Sequence, residues 1–151
     1  MASKFKENRF ATKRKADKRK ENIREEKRVD GDLPKVVFSF KDFDKNQIPP
    51  GQSYEYWEGK GYLSYLIKKL EYISQKNIVE AINEGYIKVY DNFPPNSDFS
   101  HPPHIASDVK WAVIMNINGQ KGRVAGHIIN NVFYIVFFDI DHLFYKMKKR
   151  K

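Results

Sequence analysis

The chain has 151 residues, 40% of them hydrophobic and 15% aromatic, with a formal net charge of +9 and no cysteine. That length suits one domain and that apolar content excludes wholesale disorder, while the missing cysteine excludes a disulfide framework, a thiolate metal site and a cysteine nucleophile, as expected in a reducing compartment. The longest apolar run, Val132 to Phe138, is a strand's length rather than a membrane span, and no apolar secretory leader opens the chain, so the sequence predicts a cytoplasmic protein without membrane contact.

The positive charge is concentrated at the two ends. Residues 1–28 hold 12 Lys/Arg against 5 Asp/Glu, and Lys146 to Lys151 hold 5 Lys/Arg and no acid, leaving 11 basic and 14 acidic residues between them. Residues 1–32 therefore read as a basic arm, expected to be mobile or ordered by a partner, in front of a single domain over 33–151. Lys13, Arg14, Lys15, Lys18, Arg19 and Lys20 in the arm, with Lys148, Lys149 and Arg150 at the other end, are the candidate contacts to a polyanion by counterion release; a solubilising tail is the plainer alternative.

Lys35 to Phe40 is β-branched and aromatic and predicts a first strand. Asp42 to Gly51, with Pro49-Pro50-Gly51, predicts a loop. From Ser53 the period becomes helical, with Trp57, Leu63, Leu66, Ile67, Leu70 and Ile73 on the stripe, and Gly59 and Gly61 interrupting or delaying the helix. A second helix starts at Asn77, with Glu80 at the capping-box position, Ile78, Val79 and Ile82 as its apolar face and Gly85 at its end. Tyr86 to Tyr90 predicts a short strand or extended edge.

Asp91 to Asp108 is a long proline-rich loop, shaping a binding surface or covering the sheet. Lys110 to Ile117, Gly122 to Ile129 and Val132 to Phe138 predict three strands, joined through Asn118-Gly119 and Asn130-Asn131, pairs that tolerate the positive φ of tight hairpins. The fold class is α+β: an N-terminal strand, two helices, then a mainly antiparallel sheet of three to four strands.

This order, the run Gly122 to Ile129, the strand that follows and the closing Asp141-His142-Leu143-Phe144-Tyr145-Lys146 resemble the RelE/ParE-like toxins. The resemblance implies a metal-independent RNA endonuclease without a cofactor, acting on ribosome-bound or free RNA in a toxin-antitoxin or defence system, with an acidic antitoxin as a further partner. It assigns Arg123 as phosphate clamp, His142 and Tyr145 as general acid or base and Lys146 as an additional cation, with His127 a weaker candidate because its face relative to Arg123 depends on strand register. The strands depart from the family pattern in offering only Lys110, Lys121 and Arg123 as basic residues. A non-catalytic nucleic-acid-binding or adaptor protein that uses the basic arm is the alternative.

Three other groupings invite chemistry. His101 and His104 lie three apart, and Asp139, Asp141 and His142 cluster at a strand end, but without a second well-spaced ligand pair no metal is expected. Tyr54, Tyr56 and Trp57 would stack on bases if exposed, although Trp57 opens the helix stripe and is more readily read as core. No Walker loop, dinucleotide fingerprint or Gly-x-Ser-x-Gly elbow is present, which disfavours nucleotide hydrolysis, hydride transfer and serine hydrolase chemistry.

Overall fold

The computed structural model describes residues 33–146. The candidate contacts Lys13, Arg14, Lys15, Lys18, Arg19, Lys20, Lys148, Lys149 and Arg150 lie outside the described residues, as does the arm before Leu33.

The body is α+β. In chain order it has β1 (Val37–Ser39), α1 (Tyr54–Gly59), α2 (Tyr62–Ile73), α3 (Ile78–Asn83), β2 (Ile87–Asp91), β3 (Lys110–Ile114), β4 (Arg123–Ile129) and β5 (Val132–Asp139). The strands form one five-stranded sheet of order β1-β5-β4-β3-β2. The expected three-strand meander is present as β3 to β5 and β2 joins it antiparallel, but β1 pairs with β5 in parallel, so the sheet is mixed and has five strands. The three helices and three strands between β1 and β5 supply the long connection that a parallel pair needs.

Local chemistry explains each boundary. Ser53 caps α1, its Oγ accepting from the Tyr56 N–H at 3.0 Å. Gly61, at φ 78°, then turns the chain in the left-handed region and starts α2, so the single interrupted helix expected here is two helices and the total is three. The capping box of α3 is complete: Asn77 Oδ1 accepts from Glu80 N–H at 2.8 Å, and Glu80 Oε1 accepts from Asn77 N–H at 2.9 Å. At the hairpin between β4 and β5, Asn130 takes φ 57°.

The helices lie on one face of the sheet. Trp57, Tyr62, Leu66, Leu70 and Ile73 pack with Ile87, Ile114, Val124, Phe133, Ile135 and Phe138. Two expected positions differ. Ile67 is 59% exposed because the buried stripe runs through Tyr62, Leu66, Leu70 and Ile73. In α3 Ala81 is fully buried and Ile78 packs against the same core, whereas Val79 and Ile82 are exposed.

The opposite face is covered by the long loop. Phe93, Phe99 and Ile105 from residues 92–108 pack on Trp111, Val113, Ala125, Val136, Phe137 and Phe144. Phe93 meets Trp111 edge-on at 5.0 Å and Phe144 at 5.2 Å, geometry that suits the ring quadrupoles. A register shift lets Val136 and Phe137 both face this layer, which is why β5 reads as an unbroken apolar run. The loop is fastened by Gln47, which donates to the Ser100 carbonyl at 2.8 Å and accepts from the Ser100 N–H at 2.7 Å.

Candidate nucleic-acid cleft

Alternation along β2 puts Ile87 and Val89 on the helix side and Lys88 and Tyr90 on the loop side. Arg123 opens β4 in phase with Ala125 and His127, again on the loop side. Where these positions meet the chain beyond β5, a cleft of about 660 Å³ opens, lined by Lys88, Tyr90, Pro95, Asn96, Met115, Arg123, Tyr145 and Lys146. Three of the four catalytic candidates therefore share one cleft. Lys88 and Tyr90 were not singled out in the sequence, although their period-two spacing in Tyr86 to Tyr90 was the signal that pairs them.

A turn built on Asp139 delivers the C-terminal residues to the cleft. Its buried carboxylate accepts from the Leu143 N–H at 2.9 Å and the Phe144 N–H at 2.8 Å, while Phe144 is anchored among Phe93, Phe99, Trp111 and Phe137. Burial raises the Asp139 pKa against the opposing pull of those two N–H groups. Tyr145 emerges from this turn and lies parallel to Tyr90, ring centroids 4.1 Å apart at 16°.

Arg123 stands opposite Asp139 across the ladder, yet Asp139 is taken by the backbone of the turn. Among the described residues no carboxylate lies within 4.0 Å of the Arg123 guanidinium. Its charge is felt nearby: burial raises the Tyr90 hydroxyl pKa while Arg123 pulls it down, and burial followed by Arg123 lowers that of His142. Lys146 is paired, its Nζ 2.6 Å from Asp98 Oδ1 at the surface.

His142 does not line the cleft. It sits in the turn at φ 61° with its Nε2 buried and without a hydrogen-bond partner. His127 shares the loop-side face with Arg123 but is two residue pairs along β4 and serves another cluster. Its Nε2 is 3.0 Å from Asp42 Oδ2 and its ring stacks on Tyr134 at 4.8 Å. Burial lowers the His127 pKa against the pull of Asp42; for Asp42 itself burial acts upward and is outweighed by Lys41 and His127, leaving it low. The neutral imidazole thus donates from Nε2 to a carboxylate and pins the loop after β1 to the sheet.

The remaining groupings resolve into structure. His104 Nε2 bonds the Asp42 carbonyl at 2.9 Å and ties the long loop to the one after β1, while His101 Nδ1 bonds the neighbouring Pro102 carbonyl at 3.0 Å within its own loop. Among the described residues no group of three or more His, Asp or Glu is arranged to hold a metal ion. Trp57 is fully buried, stacked on Phe138 at 4.3 Å with its Nε1 donating to Gln52 Oε1 at 3.0 Å. Tyr54 packs on Phe43 at 4.7 Å, so of the three only Tyr56 is exposed and no stacking platform forms there. Among the described residues no helix is long and apolar enough to cross a membrane.

Comparison of the chain with protein-family models, curated proteins and solved structures gives no match.

Proposed function

We propose that the cleft binds a segment of single-stranded RNA and that the protein is a toxin-like, metal-independent RNA endonuclease of the RelE/ParE kind. The observation that carries this reading is Arg123, whose guanidinium has no carboxylate within 4.0 Å among the described residues, on the wall of a cleft that also holds two stacked tyrosines and the ammonium groups of Lys88 and Lys146. Phosphate needs cations held in place, and an unpaired base needs an aromatic face. Tyr145, 38% exposed, offers the face that Tyr90 does not cover.

Cleavage on this reading is an in-line transfer within the RNA. The 2′-oxygen loses its proton and bonds to the adjacent phosphorus, the bond to the 5′-oxygen breaks, and that oxygen takes up a proton, leaving a 2′,3′-cyclic phosphate and a 5′-hydroxyl. Arg123, with Lys146 beside it, offsets the charge that builds on the phosphorane oxygens. The Tyr145 hydroxyl supplies the proton to the leaving oxygen. The resemblance assigns the base to His142, and because that residue lies outside the cleft lining with its Nε2 buried, the turn that carries it has to shift on RNA binding for the ring to reach the 2′-hydroxyl. The reading brings with it a ribosomal setting and an acidic partner protein, as the resemblance implies.

The second reading, a non-catalytic nucleic-acid-binding protein, is favoured by one observation: His142 stands outside the cleft lining with its Nε2 buried. Controlled expression separates the two. The endonuclease arrests growth and creates new RNA 5′ ends, and Arg123→Met and the His142→Ala/Tyr145→Phe pair abolish both while remaining folded. No arrest and no new ends from soluble wild-type protein leaves binding alone, and loss of RNA affinity on deleting residues 1–32 would then assign it to the arm.

A further inference from the structure

The wall of the cleft that carries Pro95 and Asn96 is tied to the C-terminal turn at three points. The Asp98 N–H donates to the Leu143 carbonyl at 3.0 Å, Ser97 Oγ donates to the same carbonyl at 3.3 Å, and Lys146 Nζ meets Asp98 Oδ1 at 2.6 Å. The two bonds to Leu143 hold residues 97 and 98 whatever the Asp98 side chain does, so its carboxylate is presented to Lys146 from a fixed backbone. Lys146 lines the cleft; Asp98 does not. A cleft cation is thus held by a carboxylate that is not itself part of the cleft lining.

We propose that Asp98 is a built-in competitor for the substrate's phosphate: it neutralises Lys146 in the free protein, and the entering phosphodiester takes the ammonium from it. This inference rests on the RNA-binding reading of the cleft. Lys146 and Asp98 are 42% and 40% exposed, and a half-exposed pair of this kind is weak, so a phosphate presented at the same time to Arg123 displaces it. The contact would lower the free protein's affinity for isolated anions, which reach only one cation well. A strand that engages Arg123 and Tyr145 together retains enough interaction to open it. The cleft would therefore discriminate between a nucleotide chain and free phosphate.

The test is binding of a fluorescein-labelled single-stranded oligoribonucleotide to the full-length protein by anisotropy, for the wild type, Asp98→Asn, Lys146→Met, their double variant and Arg123→Met. Asp98→Asn is expected to bind about two- to five-fold tighter, the size of a surface ion pair, with no gain when Lys146 is already methionine. A gain of the same size in the Lys146→Met background would be a general charge effect and would overturn the proposal, as would unchanged or weaker binding by Asp98→Asn. If Arg123→Met binds as tightly as wild type, the cleft reading fails and the competitor role with it; if Arg123→Met weakens binding and Asp98→Asn has no effect, only the competitor role fails.

Discussion

Arg123 and Asp139 face each other across the β4–β5 ladder and do not pair, because the Asp139 carboxylate is spent on the N–H groups of Leu143 and Phe144. One residue shapes the turn and the other is left available at the cleft. Asp139→Ala strands two donors in an aromatic cluster and is expected to cost about 2–4 kcal/mol, with Asp139→Asn milder because its amide oxygen still accepts. Denaturant unfolding measures the loss, and faster amide exchange at Leu143 and Phe144 locates it; a neutral Asp139→Ala would show that the turn holds without its carboxylate.

On the proposed RNA-binding reading, Arg123→Met removes one phosphate contact. Affinity for single-stranded RNA should fall for all sequences alike, and the slope of log affinity against log salt should shrink by about 0.7, the counterion release of one contact. Titrations at several salt concentrations decide it, an unchanged slope placing Arg123 outside the interface.

Tyr145 has a ring and a hydroxyl with separable roles. Tyr145→Ala is expected to weaken RNA binding by about 1–3 kcal/mol through lost stacking, whereas Tyr145→Phe keeps affinity and loses cleavage. Equal losses of affinity in both variants would tie the residue to the hydroxyl alone.

Stability should fall on mild acidification. His127 and His142 both have folded pKa values below the ordinary 6.5, so the unfolded chain takes up protons first and stability is lost as pH falls from about 7 through 6.5 toward the folded values. The raised Asp139 acts in the opposite sense, at pH nearer the carboxylate range, where the folded form accepts a proton more readily. Thermal unfolding between pH 7.5 and 5.0 tests this: His127→Gln, which can still donate to Asp42, should flatten the slope, and an unaltered slope would put the sensitivity elsewhere.

Two glycines make a matched pair. A Cβ at Gly126 would collide with the Tyr134 carbonyl and the Phe133 ring at the register shift, whereas one at Gly59 meets open space at the end of α1. Gly126→Ala is expected to destabilise by about 3 kcal/mol or more, and Gly59→Ala to be neutral or stabilise by up to about 1 kcal/mol. Melting temperatures of the two variants suffice as the readout.

Much of the fold was legible because it is written locally. The Asn77-Glu80 box and the turns at Asn118-Gly119 and Asn130-Asn131 appear where the residues predict them, and so do the strands, although the first shrinks to Val37–Ser39 and β3 ends at Ile114, before Asn116 takes φ 56°. What was not legible depends on partners distant in sequence. The parallel seat of β1 is decided by β5, and the burial of Ala81 in place of Val79 by the approach of β2. The 92–108 loop looked like a binding surface or a cover, and its three apolar anchors make it a cover for the second sheet face. At the cleft, Arg123, Tyr145 and Lys146 are candidates that the sequence singles out, but Tyr90 joins them only through Tyr145, 55 positions further along the chain. The Asp42–His127 pair spans 85 residues and carried no local signal.

The most direct test of the central claim is ultraviolet cross-linking of the full-length protein to single-stranded RNA, with the attached peptides identified by mass spectrometry. Adducts are expected on Tyr90 or Tyr145 and should disappear with Arg123→Met. Adducts confined to residues 1–32, unaffected by that substitution, would contradict the claim.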